Sequence, residues 1–280
     1  MDTRKPNIAI VGPGVMGETM VTALLRQGVV EAGHIWMAGP RQERLDELVG
    51  KYGIHTNTHN AEAAGGADVV VLCVKPQRLR RVLSGLRDQL KPDALVISMV
   101  AGAAIQTISE GLNHSLVIRC MPNTPAQIGL GITAWATSPQ VQETDLELAR
   151  SILTGLGQEI LVEEESYLDM ATAVSGSGPS YVFLFMEAMI DAGVHLGLPR
   201  RIAEQMVVQT LRGSVEYFST RKVHPAVLRN EVTSPGGTSA EALYYLDKAG
   251  VRTAISRAIW AAYERSQELG KDQNSKKTIE

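Results

Sequence analysis

The sequence predicts an α/β protein, with an N-terminal Rossmann-type parallel sheet domain followed by an all-α C-terminal domain. Three observations carry this. Apolar strand runs alternate with helical periods through the first half of the chain. The first run leads into Gly12-Pro13-Gly14-Val15-Met16-Gly17, a G-x-G-x-x-G loop that opens a helix. After Glu163-Glu164-Glu165 strand signals almost cease, and apolar stripes at helical spacing replace them.

Asn7–Val11 is a short apolar run that reads as a buried strand. Val15–Gln27 has helical spacing, and Gly28 is placed to end it. His34–Ala38 is the second strand and the polar stretch Gln42–Lys51 the second helix. Ala67–Val74 is the strongest strand, carrying Val69, Val70, Val71, Leu72 and Val74, and Lys75-Pro76 stops it. Helix Gln77–Leu90 and strands Ala94–Met99 and Leu116–Met121 follow. Strands alternating with helices imply right-handed crossovers, and continuous apolar strands fit a sheet covered on both faces.

In the second half Val182, Phe183, Met186, Met189 and Ile190 recur at helical spacing. So do Ala203, Met206, Val207, Thr210 and Leu211, and then Ala254, Ala258, Ala261 and Ala262. These wide apolar faces fit burial against a second subunit and equally fit packing among themselves. The expected division is 1–164 for a nucleotide-binding domain and 165–270 for a helical domain. Lys271–Glu280 has no apolar period and is expected to be a disordered tail.

Composition narrows the function. The 280 residues are 44% hydrophobic, enough for two modest cores or one large one. The net charge of −3, without a long basic run, sets nucleic acid aside as a partner. Cys73 and Cys120 both sit in strand runs and read as reduced core thiols, which favours the cytoplasm. Met1–Asn7 is followed by no apolar stretch of about 7–15 residues, so no signal peptide is expected, and no apolar run is long enough to span a membrane. The six histidines show no ligand spacing, and no metal is expected. His224-Pro225 reads as a helix start, and His195 lies near a helix end.

The glycine loop follows a strand and opens a helix, the context that gives the pattern its meaning. Its first glycine allows the tight turn, the second admits a pyrophosphate to the backbone, and the third lets helix pack on strand. At the end of the second strand, Met37-Ala38-Gly39-Pro40-Arg41 lacks the acid that would bond a ribose 2′-hydroxyl. The Arg41 guanidinium suits a 2′-phosphate, so NADPH is the expected cofactor, with NADH as the second candidate. Val74-Lys75-Pro76-Gln77 ends the central strand and places Lys75 beside the binding crevice.

Far along the chain lies Thr233-Ser234-Pro235-Gly236-Gly237-Thr238-Ser239. The two glycines can turn the backbone, and hydroxyls flank them. The apolar period resumes at Ala240, Leu243 and Leu246, so the turn opens a helix. Two readings stand: a helix-capping turn, and a cradle of free N–H groups for a small anion.

Three more segments concentrate Pro, Gly, Asn and hydroxyl residues: Ser98-Met99-Val100-Ala101-Gly102, Met121-Pro122-Asn123-Thr124-Pro125-Ala126, and Ser175-Gly176-Ser177-Gly178-Pro179-Ser180-Tyr181. With the glycine loop, V-K-P and T-S-P-G-G-T, their order closely resembles the pyrroline-5-carboxylate reductase family, from about residue 7 to about 269. That resemblance implies reduction of 1-pyrroline-5-carboxylate to L-proline, the last step of proline biosynthesis. It implies NADPH bound by Gly12, Gly14, Val15, Met16, Gly17, Asn60, Val74, Lys75, Pro76 and Ala101. It assigns the substrate to Glu165, Ser234, Gly236, Gly237, Thr238 and Ser239. It also implies homodimers through interleaved C-terminal helices, often assembled further into decamers.

Ser239 departs from the family pattern, where the hydroxyl proposed to bond the ring nitrogen is usually threonine. Serine keeps donor and acceptor but loses the methyl that restrains its rotamer. Asn230 and Glu231 also differ from some members. The chemistry needs no metal, because a protonated cyclic imine is already electrophilic and hydride transfer mainly requires alignment. A rival, a β-hydroxyacid dehydrogenase-like oxidoreductase, uses a helix-borne lysine, and this chain has none between Lys91 and Lys222. A non-catalytic NADP-binding regulator is the other alternative.

Overall fold

A computed structural model of the chain describes residues 5–275. Eight strands form one sheet: β1 Ile8–Val11, β2 Ile35–Ala38, β3 His55–Asn57, β4 Val69–Leu72, β5 Leu95–Ser98, β6 Val117–Met121, β7 Gly131–Thr137 and β8 Gly157–Leu161. Their order is β3-β2-β1-β4-β5-β6-β7-β8. Strands β1 to β6 run parallel, β7 is antiparallel to β6, and β8 is parallel to β7. In the central register Ile8 faces Val69 and Val11 faces Leu72.

The helices α1 Val15–Arg26, α2 Gln42–Tyr52, α3 Asn60–Ala64, α4 Pro76–Leu86, α5 Ile105–Leu112 and α6 Glu143–Leu153 alternate with these strands. Successive residues of one strand serve opposite cores: Ile8 and Ile10 pack into one apolar cluster, Ala9 and Val11 into the other. Both faces of the sheet are therefore covered, and β1, β4, β5 and β6 are buried throughout. Trp135 is the largest fully enclosed side chain.

Three strands escape the sequence reading, for physical reasons. β3 and β8 are the two edges of the sheet and carry polar or half-exposed residues. β7, G-I-T-A-W-A-T, mixes small residues with one tryptophan and offers no run of branched apolar side chains.

From Glu165 onward the regular structure of the described residues is helical. They form α7 Tyr167–Ala171, a π-helical turn at Thr172–Gly176, α8 Gly178–His195, α9 Arg200–Arg221, α10 Pro225–Glu231, α11 Thr238–Lys248 and α12 Val251–Ser275. The chain separates into two compact units, one reaching to Ser177 and taking in the chain from Ala262 onward, the other Gly178–Ala261. The compact units part at Ser177, because α7 packs on the sheet domain through the buried Leu168.

The end of α12 belongs with the sheet domain. The Ser266 hydroxyl bonds Asp169 at 2.9 Å, and a Cβ on Gly102 would sit 3.0 Å from the Gly270 nitrogen. Helix α12 also continues through Lys271 to Ser275, which corrects the expected tail at 271–280; residues 276–280 lie outside the described residues. Extending a formed helix needs no new nucleus, so a polar stretch can follow it without an apolar period.

In the second unit α8 packs on α9, where a Cβ on Gly193 would lie 3.1 Å from the Ala203 side chain. Yet Val182, Phe183, Leu184 and Phe185 of α8 stay exposed, as do Tyr244 and Tyr245 of α11 and Trp260 of α12. Among the described residues no helix is long and apolar enough to cross a membrane.

Candidate functional site

The glycine loop lies between β1 and α1, and its three glycines have different surroundings. Gly12 takes φ +117, and a Cβ there would stand 2.7 Å from the Cys73 carbonyl oxygen. A Cβ on Gly17 would collide with the Gly12 carbonyl oxygen. A Cβ on Gly14 would meet nothing within 4 Å. Gly14 is the N-cap of α1 and makes no side-chain cap, so the first-turn N–H groups open onto that space. The loop is closed at its first and third glycines and open at its second, which is what a phosphate approaching a helix start requires.

The end of β2 clasps this loop. The Gly12 N–H donates to the Ala38 carbonyl at 2.9 Å, and a Cβ on Gly39 would strike the Pro13 ring. Arg41 is exposed as the N-cap of α2. Sequence reasoning overlooked Arg44, one turn further. Its Nε donates to the Pro13 carbonyl at 3.2 Å, and its guanidinium pairs with Glu18 and, at 2.9 Å, with Glu47. The Glu18 carboxylate also accepts from Lys51 at 2.9 Å and from the Tyr52 hydroxyl at 2.8 Å. Lys51 above all, then Tyr52 and Arg44, holds its carboxyl down at about 2. The spacing of Arg44 and Glu47 was the one signal in the sequence for this cluster.

The remaining expected cofactor residues gather at the same edge of the sheet, where the parallel strands end. Asn60 opens α3 after β3, and Val74, Lys75 and Pro76 join β4 to α4, with Lys75 exposed as the N-cap. Val74 Cγ1 would lie 3.1 Å from a Cβ on Gly12. Ala101 sits in the turn after β5. With Gly12, Gly14, Val15, Met16, Gly17 and Arg41 they border the crevice expected at the carboxyl ends of β1 to β5.

Beside the loop lies a cavity of about 280 Å³, lined by Met16, Met99, Met121-Pro122-Asn123-Thr124, Thr172, Gly176 and Ser177. Four segments singled out in the sequence meet here. Asn123 locks two of them together: its Nδ2 donates to the Ser175 carbonyl at 3.2 Å, and its Oδ1 accepts from the Ile132 N–H at 2.9 Å. The π turn at Thr172–Gly176 forms one wall, and such single turns recur at functional sites. Cys73 and Cys120 are free thiols. Burial raises both above the ordinary thiol range, Cys73 to about 12, which leaves them unreactive.

Glu165 is the one member of the glutamate run with an inward partner. Its Oε1 accepts from the Ile105 N–H at 2.8 Å and from Arg119 Nη1 at 2.9 Å. Arg119 Nη2 bonds Asp169 Oδ1 at 3.1 Å, and Arg119 is only 4% exposed. It too was overlooked; the available signal was a lone cation inside the apolar strand L-V-I-R-C-M.

In the second unit Ser234, Gly236, Gly237, Thr238 and Ser239 share one turn. Gly236 takes φ +71, the Gly237 N–H donates to the Ser234 carbonyl at 3.0 Å, and the Thr233 hydroxyl bonds the Arg229 carbonyl at 2.6 Å. Gly237 is the N-cap of α11 and no side chain caps the helix, so the turn does open a helix and leaves its first N–H groups available. Ser239 is half-buried in the first turn. His224 caps α10, its Nδ1 accepting from the Ala226 N–H at 3.2 Å.

A doubly wound sheet, a glycine loop left open at Gly14 and a helical C-terminal unit define a dinucleotide-binding oxidoreductase of Rossmann type. Residues 165–269 match the family described as pyrroline-5-carboxylate reductase dimerisation, and residues 7–102 match the NADP oxidoreductase, coenzyme F420-dependent family. The pyrroline-5-carboxylate reductase of Synechocystis is 42% identical over 264 residues, 94% of this chain and 98% of that one. The structure of a pyrroline-5-carboxylate reductase from Coxiella burnetii aligns with TM-score 0.87 at 35% identity, over 95% of this chain and 99% of that one. The structure of Plasmodium falciparum pyrroline carboxylate reductase with NADP bound aligns with TM-score 0.87 at 30% identity, over 95% and 98%. The chain belongs to the pyrroline-5-carboxylate reductase family.

Proposed function

We propose that this protein reduces 1-pyrroline-5-carboxylate to L-proline with NADPH, closing proline biosynthesis. The observation that carries the reading is the cavity beside the glycine loop: it joins that loop, through Met16, to three further loops singled out in the sequence. The Plasmodium relative holds NADP. The residues here fit such a cofactor, because only the second glycine of the loop is open.

When bound, NADPH supplies the hydride. The amides of Gly14, Val15, Met16 and Gly17 hold its phosphates at the positive end of α1. Arg41, exposed at the end of β2, answers the 2′-phosphate, while Asn60, Val74, Lys75, Pro76 and Ala101 line the crevice. The thioethers of Met16, Met99 and Met121 make an apolar wall that keeps water from the reacting face. On the substrate side, the Thr238 N–H at the open start of α11 binds the carboxylate, and Ser234, Gly236 and Gly237, whose own N–H is held by the Ser234 carbonyl, shape the turn. The Ser239 hydroxyl bonds the imine nitrogen and helps relay its proton, and Glu165 places a negative charge toward the iminium. Alignment supplies most of the acceleration.

The exposed apolar face of α8 and the match to a dimerisation family support self-association through the C-terminal helices; the assembly read here is a homodimer, built further up to a decamer. The cytoplasm suits a chain with two free thiols. Initial rates with NADPH and NADH, against pyrroline-5-carboxylate and its six-membered homologue, test the assignment. The five-membered imine with NADPH should give the highest kcat/KM. Equal rates with both cofactors would remove the role of Arg41.

A further inference from the structure

We propose that Arg119 is a positioning residue for this reduction: it fixes the Glu165 carboxylate through Oε1 and thereby sets substrate affinity. The inference rests on the reading that Glu165 faces the imine acid.

An arginine inside a strand is costly unless its charge is met. Arg119 is met twice, by Glu165 at 2.9 Å and Asp169 at 3.1 Å, so the cluster holds two carboxylates and one cation. Stability alone requires only one carboxylate, or none, since an apolar trio of similar volume packs at least as well.

The two acids are not equivalent. Asp169 takes a second side-chain donor, the Ser266 hydroxyl, on the same Oδ1 at 2.9 Å and is 20% exposed. Glu165 is 31% exposed, and its bonds from Arg119 and Ile105 both land on Oε1. One carboxylate thus anchors the guanidinium, and the guanidinium orients the other. The rigid fork of Arg119, spending Nη1 on one acid and Nη2 on the other, is a geometry a lysine cannot copy.

The test is steady-state kinetics with NADPH and pyrroline-5-carboxylate on Glu165→Gln, Arg119→Met, the double variant and Arg119→Lys, with NADPH Kd measured by fluorescence. The expected result is a rise of about tenfold or more in KM for pyrroline-5-carboxylate in both single variants, with NADPH Kd within about twofold of the parent. Because Arg119 acts through Glu165, the double variant should be no worse than Glu165→Gln alone. Arg119→Lys should recover part of the loss, and it carries the same comparison if Arg119→Met does not fold. A purely structural arginine would weaken NADPH binding along with substrate binding, and its effect would add to that of Glu165→Gln; either result overturns the proposal. Glu165→Gln with unchanged KM would show instead that Glu165 does not face the substrate, and the role of Arg119 falls with it.

Discussion

At Gly12 and Gly17 the glycine loop has no room for a methyl group, whereas at Gly14 it has room to spare. This contrast separates stability from binding. Gly12→Ala adds a Cβ 2.7 Å from the Cys73 carbonyl at a positive φ and should cost about 1–3 kcal/mol of folding free energy, read by denaturant unfolding. Gly14→Ala should leave stability within about 0.5 kcal/mol yet weaken NADPH binding markedly, because the added methyl enters the space the phosphate needs. At Ser239 the expected change is kinetic. Ser239→Ala removes one hydrogen bond to a charged partner, about 1.5–3 kcal/mol, and should lower kcat/KM roughly ten- to a hundredfold. The far-ultraviolet circular dichroism should not change, since Ser239 is only half-buried in the first turn of α11. Unaltered kinetics would remove Ser239 from the reaction.

At the scale of elements, the glycine loop is braced by a charge cluster joining α1 to α2. Glu18 accepts from Lys51, Tyr52 and Arg44, and Arg44 also reaches the Pro13 carbonyl. The folded-state pKa of Glu18 is lowered from 4.5 to about 2. A lowered carboxyl pKa contributes stability that is fully present above about pH 4.5 and is lost as pH falls through about 2. Glu18→Gln should therefore lower the Tm at neutral pH and flatten the loss of stability across that acid window. An unchanged acid limb would show that the cluster does not brace the loop.

How much of this was legible follows from where the energy lies. Strands β1, β2, β4, β5 and β6 announce themselves because they are mostly buried and apolar, and their residues agree closely with the sequence reading. The edge strands β3 and β8 carry no such signal, since half of their surface faces water. Arg44 and Arg119 were missed because their meaning lies in partners distant in the chain: Arg119 meets Glu165 and Asp169 from another element. The loop motifs were legible as motifs, but only the fold shows that Met16, Met99, Met121 and Ser177 surround one cavity.

At the scale of the whole molecule, the glutamate run marked a change of composition, while packing set the division at Ser177 and returned the end of α12 to the sheet domain. The sheet domain is closed around its own core. The second unit leaves Phe183, Leu184, Tyr245 and Trp260 in the open, a surface that an associating partner of the same kind would cover. The most direct measurement is to supply NADPH and pyrroline-5-carboxylate and follow NADPH loss and proline formation together. The expected result is one proline formed for each NADPH consumed, at a rate that saturates in both substrates. Tight NADPH binding with no proline formed would contradict it and make the chain a nucleotide-binding regulator.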